Sequence, residues 1–263
     1  MPWRRALLLF LLLVAFGAVR LPLERSLTRG YREAGFLKSQ LNMDVRAQTG
    51  QMGFVAALSG FRAIVADYVW IRAYTAWENV EWGRMKLLMD TATTLQPRAT
   101  LFWDTAGWHM AWNASVAALE NKHQPRETLR IKAQREYIRL GEDYLLRGIA
   151  ANPDKAMLFD RLGLLYAQKM NDPCRASWAY YEAAKRPDAM RYVHRFAVYQ
   201  LAACPGHEQD ALQELRRLYH EGKQERLPTL LKLLDQLQTK LNVPAAERID
   251  IRQDLQEGTP RAK

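Results

Sequence analysis

The chain has 263 residues, of which 49% are hydrophobic and 10% are aromatic, a composition that excludes a disordered chain. Glycine (14 residues) and proline (11 residues) are scarce, and alternating β-branched runs are hard to find, so the composition predicts an all-α protein. The formal net charge is +10, but no recognisable nucleic-acid-binding motif accompanies it, and we expect no nucleic-acid partner.

An apolar segment occupies residues 6–23, interrupted by Arg20 and preceded by two arginines. A helix that spans a membrane needs roughly 17–25 residues, so the segment reaches that length only if Arg20 extends to the far interface. Residues 1–23 are either an uncleaved signal anchor, which we favour, or a signal peptide with a weak cleavage site at residues 15–17. In both cases the paired arginines favour a cytoplasmic N-terminus and an exported body. With the anchor retained, we expect a single-pass protein of a bacterial inner membrane with its body in the periplasm.

A juxtamembrane basic arm is predicted over residues 24–53. Residues 1–50 carry eight Lys or Arg side chains and three acidic side chains. Positive charge beside an apolar anchor serves membrane topology and contact with anionic headgroups more often than nucleic-acid binding. We therefore interpret the arm as a spacer between the bilayer and the body of the protein.

Two helices are predicted to follow the arm. Residues 54–72 are densely apolar, but Arg62, Asp67 and Arg72 recur in them at five-residue steps. This pattern predicts a buried helix, with its charges paired or reaching water, and not a second membrane span. The next helix is predicted over residues 85–93 and ends before Pro97.

A further pair of helices is predicted back to back over residues 159–187. Small residues on their shared face let the two helices approach closely, and aromatic residues fill the seam between them. The positions that define the pattern are Phe159, Leu162, Gly163, Tyr166, Ala176, Tyr180, Ala183 and Pro187. This pattern resembles a tetratricopeptide repeat (TPR). Because one such pair cannot bury its apolar face alone, the resemblance implies neighbouring pairs.

Prolines mark a repeat period. Pro153 and Pro187 are 34 residues apart, which is the TPR period, whereas Pro97 and Pro153 are 56 residues apart, which is one period plus an insertion. Six residues after each proline stands an aromatic or β-branched residue, and four residues further a small one. These residues are Trp103, Phe159 and Val193, followed by Gly107, Gly163 and Ala197.

The resemblance and the proline spacing together imply a right-handed α-solenoid. We predict about four TPR-like helix pairs over residues 54–222, with an insertion at about residues 118–138, and a capping helix with a polar tail over residues 223–263. Insertions in repeat arrays often contact a partner, and a neutral loop is the alternative. For function, the family implies a concave surface that recognises a partner, with no chemistry of its own.

The cysteines of the chain are Cys174 and Cys204, in the turns between the helices of adjacent predicted pairs. Such turns stack along one edge, so the two sulfurs can come within bonding range, and an exported location permits a disulfide. The alternative is two unrelated free thiols, since neither cysteine has the spacing of a redox or metal motif.

Tryptophans are concentrated in one part of the chain. Six of them fall within 43 residues: Trp70, Trp77, Trp82, Trp103, Trp108 and Trp112. One interpretation is an aromatic groove for a partner, since flat rings bury area at a low cost in entropy; the alternative is core packing. The partner-binding candidates, which include two polar residues beside Trp108 and Trp112, are Trp70, Trp77, Trp103, Trp108, Trp112, His109 and Asn113.

Motifs of catalysis are not found in the sequence. It contains no Gly-rich phosphate loop, no G-x-S-x-G and no H-E-x-x-H. Asp67, Asp104, His109 and His123 are side chains of suitable chemistry, but their spacing matches no metal motif. We therefore expect no enzymatic activity, no cofactor and no metal.

These features favour a non-catalytic scaffold or assembly subunit of an inner-membrane complex, with membrane proteins as its partners. A periplasmic protein that binds a glycan or a peptide through a Trp-rich groove is the first alternative. A structural subunit of a larger membrane enzyme is the second.

Overall fold

The computed structural model describes residues 60–252, Ser26 and Asp254. These residues form helices and connections without a strand, so the predicted all-α class is confirmed for this part of the chain. The predicted anchor over residues 1–23 lies outside the described residues, as do the basic arm over residues 24–53 apart from Ser26, the start of the helix predicted from Phe54, and the end of the polar tail.

Besides two short 3-10 helices at Lys223–Glu225 and Ala245–Glu247, the part of the chain that the structure describes contains ten α-helices and one π-helical segment. They are α1 (Arg62–Glu78), α2 (Trp82–Leu95), α3 (Thr100–Trp108), the π-helical segment (His109–Ala114), α4 (Ser115–Leu119), α5 (Glu127–Ala151), α6 (Ala156–Gln168), α7 (Pro173–Ala184), α8 (Arg191–Ala203), α9 (Glu208–Glu221) and α10 (Pro228–Lys240). The chain divides into two compact units between Phe102 and Trp103. This boundary falls inside the range 54–222 that the sequence predicts as one repeat domain.

The first unit contains α1 and α2, which pack against each other. The residues of α1 that are buried are mostly alanine, such as Ala66, which packs with Ala92 and Leu95 of α2. Large apolar side chains are exposed on the opposite face of α1 and at the residue before it, namely Phe61, Ile64, Tyr68 and Ile71. The sequence predicts a buried helix here, whereas the structure buries one face, which is lined mostly by alanines that allow close packing on α2.

A C-capping motif ends α1. The backbone N–H of Val80 donates to the Trp77 carbonyl at 2.9 Å, and that of Glu81 donates to the Ala76 carbonyl at 2.8 Å, which is the Schellman pattern. The motif places Val80 at a φ of 60°, a left-handed conformation that glycine adopts freely and a β-branched residue adopts at a cost in energy.

In the second unit, consecutive helices from α4 to α10 pack against one another in chain order. α8 also contacts α10, the helix that the sequence predicts as a cap. A cluster of buried leucines joins α9 to α10, among them Leu215, Leu218, Leu230 and Leu234.

The seam between α6 and α7 contains the residues on which the TPR resemblance rests. These residues are buried except for Pro187; the buried ones are Phe159, Leu162, Gly163, Tyr166, Ala176, Tyr180 and Ala183. A Cβ atom on Gly163 would lie 2.9 Å from the ring of Tyr180, so this ring can pack here only against glycine. α7 begins at Pro173, after Asp172, whose carboxylate accepts the Arg175 backbone N–H at 2.9 Å.

A disulfide joins Cys174, in the first turn of α7, to Cys204, which follows the last residue of α8. The two Cα atoms lie 4.9 Å apart, within the range that a disulfide spans. The bond links neighbouring helices across 30 residues of sequence.

The segment predicted as an insertion, residues 118–138, forms the end of α4, a connection over residues 120–126 and the first half of α5. α4 and α5 pack against each other, so this segment is a helical hairpin. Its connection contains Pro125, which is exposed.

We predict that Val80→Gly stabilises the protein. The replacement relieves the left-handed strain, which amounts to about 1–2 kcal/mol, against an added chain entropy of about 0.5–1 kcal/mol, and the Val80 side chain is 60% exposed. Urea unfolding followed by circular dichroism should show a net gain of about 0.5–1 kcal/mol. Val116→Gly, at a 38% exposed position within α4, is the matched control and should destabilise. A loss of stability in Val80→Gly would contradict the assigned backbone conformation.

We also predict that removing the disulfide lowers the free energy of unfolding. Closing a loop of this length removes about 3–4 kcal/mol of entropy from the unfolded chain, so Cys174→Ser/Cys204→Ser should lose about that amount in urea unfolding. Wild-type protein treated with a reductant should behave like the double variant, and the double variant should not respond to the reductant. An equal response of both proteins to reductant would show that the bond is not formed.

Candidate functional site

Two stacked tryptophans form the centre of the candidate site. The rings of Trp108 and Trp112 lie 4.5 Å apart between centroids and are inclined by only 9°. Trp108 ends α3, and Trp112 lies in the π-helical segment. Trp108 and Trp112 are four residues apart, so their side chains lie on the same side of the helix. This geometry allows parallel stacking, while Trp108 remains 44% exposed.

The π-helical segment lies where α5 approaches most closely. A Cβ atom on Gly141 of α5 would lie 2.6 Å from the Ala111 Cβ atom and 2.8 Å from the Gly107 carbonyl oxygen. Two side chains satisfy polar groups in or beside the segment: the Ser115 hydroxyl donates to the Ala111 carbonyl, and Asn113 Nδ2 lies 2.8 Å from His109 Nδ1. The widened turn is therefore packed and hydrogen-bonded on its inner side.

A lysine covers the Trp112 ring. Lys169 Nζ, at the end of α6, lies 5.4 Å from the ring centroid, within the range of a cation–π interaction. Partial burial lowers the pKa of Lys169. The stack thus continues from Trp108 through Trp112 to a cation.

A chain of charged and polar groups lies one turn before Trp108. Arg161 Nε of α6 lies 3.2 Å from Asp104 Oδ1 of α3, and Arg161 Nη1 lies 3.3 Å from Asp160 Oδ2. The Tyr192 hydroxyl of α8 donates to the same Asp160 oxygen at 2.9 Å.

Asp104 and Trp108 are four residues apart on one helical face. We call the group Asp104, Trp108, Trp112, Arg161 and Lys169 the aromatic surface.

Burial dominates the electrostatics of the two aspartates. It raises the pKa of Asp104, against the opposing effect of the Arg161 charge. It also raises the pKa of Asp160, against the Tyr192 hydrogen bond and the Arg161 charge. Both carboxylates are thus less easily ionised than free aspartate, although each is close to an arginine.

The predicted partner-binding residues separate into three groups. Trp108 and Trp112 lie on the aromatic surface, with Asn113 beside them. Trp103 and His109 are buried: a Cβ atom on Gly148 would lie 2.8 Å from Trp103, and burial lowers the pKa of His109. The structure therefore places these two residues in the core and not on a binding surface, because helices packed through glycine leave room only for the rings themselves.

The remaining two candidates, Trp70 and Trp77, belong to the first unit. The Trp70 ring lies 5.0 Å from that of Tyr74 and 5.6 Å from that of Phe102, and the Trp77 ring lies 6.1 Å from that of Tyr74. Their contacts are those of an aromatic packing cluster within this unit.

No sequence motif marks Arg161, Lys169, Asp160 or Tyr192 as a site residue. One signal was present: Arg161 and Lys169 are eight residues apart on α6, and Asp104 and Trp112 are eight residues apart as well, so each pair spans about two helical turns. The two pairs can be matched only when it is known that α6 lies beside α3. That placement depends on the length of the hairpin between the two helices.

We predict that Asp160 makes stability depend on pH. Because its pKa is raised above the ordinary value of 3.8, the folded state retains a proton that the unfolded state releases. Its contribution to stability is therefore full at low pH and is lost as the pH rises through the folded-state pKa. The free energy of unfolding of the wild type minus that of Asp160→Asn should fall as the pH is raised from 3.8.

Urea unfolding at a series of pH values measures this difference. Asp235→Asn replaces an exposed aspartate and should show no comparable fall. If the difference between the wild type and Asp160→Asn instead increased with pH, Arg161 would dominate over burial, and the assigned direction of the pKa shift would be overturned.

Comparison of the chain with protein-family models, with curated proteins and with solved structures found no match. Within residues 60–252, no group of three or more His, Cys, Asp or Glu side chains is arranged to hold a metal ion. In the same part of the chain, no helix has the length and apolarity needed to cross a membrane. A functional assignment therefore depends on the sequence pattern and on the geometry of the aromatic surface.

Proposed function

We propose that this protein is a non-catalytic scaffold or assembly subunit of an inner-membrane complex and that it binds a protein partner through the aromatic surface. The observation that carries the proposal is the stacked pair of Trp108 and Trp112, which presents an exposed ring on a rigid helical support. Tryptophan and arginine are the residues most enriched at the energetic centres of protein interfaces. Arg161 lies beside the stack, where it is held by Asp104 and Asp160.

The order of packing in the second unit supports a TPR-like solenoid as the architecture of the scaffold. Consecutive helices contact one another. Aromatic rings pack against glycines where helices meet, as Tyr180 does against Gly163. Repeat arrays of this kind bind partners through preformed surfaces. We propose that Trp108, Arg161 and Tyr192 lie on the recognition face, since they project from α3, α6 and α8, the first helices of successive predicted pairs.

The proposed location is the periplasmic side of the inner membrane. The disulfide between Cys174 and Cys204 supports an oxidising compartment, since structural disulfides persist in exported proteins. The apolar residues 6–23 support a membrane tether, which would hold the body near membrane-protein partners.

A glycan or peptide ligand is the second candidate, and the exposure of Trp108 favours it specifically. A flat ring next to paired polar groups, here Asp104 and Arg161, suits a sugar ring, which stacks through its apolar face and forms hydrogen bonds through its edge. Quenching of tryptophan fluorescence by added oligosaccharides, lost in Trp108→Ala, would favour this candidate over the protein partner.

The proposal is tested by site-specific photo-crosslinking in native membranes. A photoreactive amino acid at position 108 should give one dominant adduct with a membrane protein. The same amino acid at position 178, where an equally exposed tryptophan lies on α7 (50% exposed), should not give that adduct. Equal adducts from both positions, or none from position 108, would contradict the proposal.

Affinity for the identified partner provides the quantitative prediction. Trp108→Ala should weaken binding by about 30-fold, the typical loss at an interface hot spot of about 2 kcal/mol. Trp178→Ala should bind like the wild type. Circular dichroism of both variants should match the wild type, because neither side chain belongs to the buried core. A 30-fold loss in both variants would indicate a general defect and would remove Trp108 from the interface.

A further inference from the structure

One end of the helical hairpin formed by α4 and α5 contains no residue of the aromatic surface. We define the hairpin tip as residues 116–132, which comprise the last residues of α4, the connection over residues 120–126 and the first residues of α5. Three large apolar side chains are exposed within four residues of the connection. They are Val116 (38% exposed), Leu119 (37%) and Leu129 (42%).

Basic residues outnumber acidic ones in the hairpin tip and in the two helical turns that follow it. Residues 120–139 contain six Lys or Arg side chains and three Glu side chains. The basic residues are Lys122, Arg126, Arg130, Lys132, Arg135 and Arg139. Of these, only Lys132 has an ion pair with a described residue, Glu136 at 3.9 Å. All but Arg130 are exposed, so most of this charge is available to an external anion.

Exposed apolar side chains close in sequence to exposed cations match the requirements of a lipid surface. Apolar side chains enter the boundary between headgroups and acyl chains, while lysine and arginine pair with anionic headgroups. The tip contains no Trp, Tyr or Phe, so it lacks the rings on which single-stranded nucleic acid stacks and the anchors typical of a protein interface. The observations therefore favour a bilayer over both alternatives.

We propose that the hairpin tip docks on a bilayer that contains anionic phospholipids, with Val116, Leu119 and Leu129 at the headgroup level and the exposed cations of the tip on the lipid phosphates. This contact is separate from the predicted tether at residues 6–23, and it does not depend on partner binding at the aromatic surface. It orients the second unit relative to the membrane surface.

A fluorescence experiment on the full chain tests this proposal. Because the two native cysteines are joined to each other, Leu119→Cys introduces the one thiol that an environment-sensitive dye can label. Leu227→Cys, a 40% exposed leucine before α10, is the matched control. Each labelled protein is reconstituted into vesicles of phosphatidylcholine alone or of phosphatidylcholine with phosphatidylglycerol. Emission wavelength and quenching by aqueous iodide are measured in each.

The dye at position 119 should shift to the blue and be protected from iodide in vesicles with phosphatidylglycerol, but not in phosphatidylcholine alone. The dye at position 227 should not respond. Lys122→Gln/Arg126→Gln should lower the ratio of docked to undocked tips by about 30-fold, since each cation near an anionic surface contributes about fivefold. Lys185→Gln/Lys232→Gln, which removes the same charge from α10 and from the residue after α7, should leave the ratio unchanged.

Several results would overturn the proposal. One is the same dye response in both kinds of vesicle, and another is an unchanged response in Lys122→Gln/Arg126→Gln. A response to a short DNA duplex or to polyglutamate, with none to the anionic vesicles, would overturn it as well and would assign the tip to nucleic acid or to an acidic protein. Each of these outcomes is independent of the photo-crosslinking result at position 108.

Discussion

The geometry of the aromatic surface depends on the close approach of α5 to the π-helical segment at Gly141. A Cβ atom at this position would lie 2.6 Å from that of Ala111, so no other residue permits the approach without displacing one of the helices. The contact holds the inner side of the segment against α5 and leaves Trp108 and Trp112 on its outer side. A packing constraint in the core thus determines the orientation of the exposed rings.

Two other glycines of the second unit leave room for aromatic rings. Trp103 packs where Gly148 has no side chain, and Tyr180 packs where Gly163 has none. These contacts place large rings inside the seams between helices, which explains how a chain so rich in aromatic residues buries many of them. An exposed and stacked ring such as Trp108 is then an exception that packing does not explain, and for that reason we propose a binding role for it.

Features set by local sequence were predictable. The three prolines follow the ends of α2, α5 and α7 by two or three residues, and the i, i+3 and i+4 pattern identified the buried faces of α6 and α7. Features that depend on long-range packing could not be predicted from the sequence. The π-helical segment has no periodic signature in sequence, and the contact of Lys169 with Trp112 joins residues whose separation includes the whole of α5. The exposed face of α1 was missed because an apolar pattern shows which residues are hydrophobic and not which of them are covered.

Different parts of the second unit hold the two groups of the aromatic surface, which are the Asp104–Arg161 ion pair and the tryptophan pair. Arg161 is positioned by Asp160, which accepts the hydroxyl of Tyr192 on α8. α8 is in turn joined to α7 by the disulfide and fixed by the buried carboxylate of Glu225, which accepts Arg195 Nη1 at 2.8 Å. The tryptophan pair depends instead on the packing of α5. Because both halves are ordered before a partner arrives, binding at this surface would cost little conformational entropy, which is the physical advantage of a scaffold built from packed helix pairs.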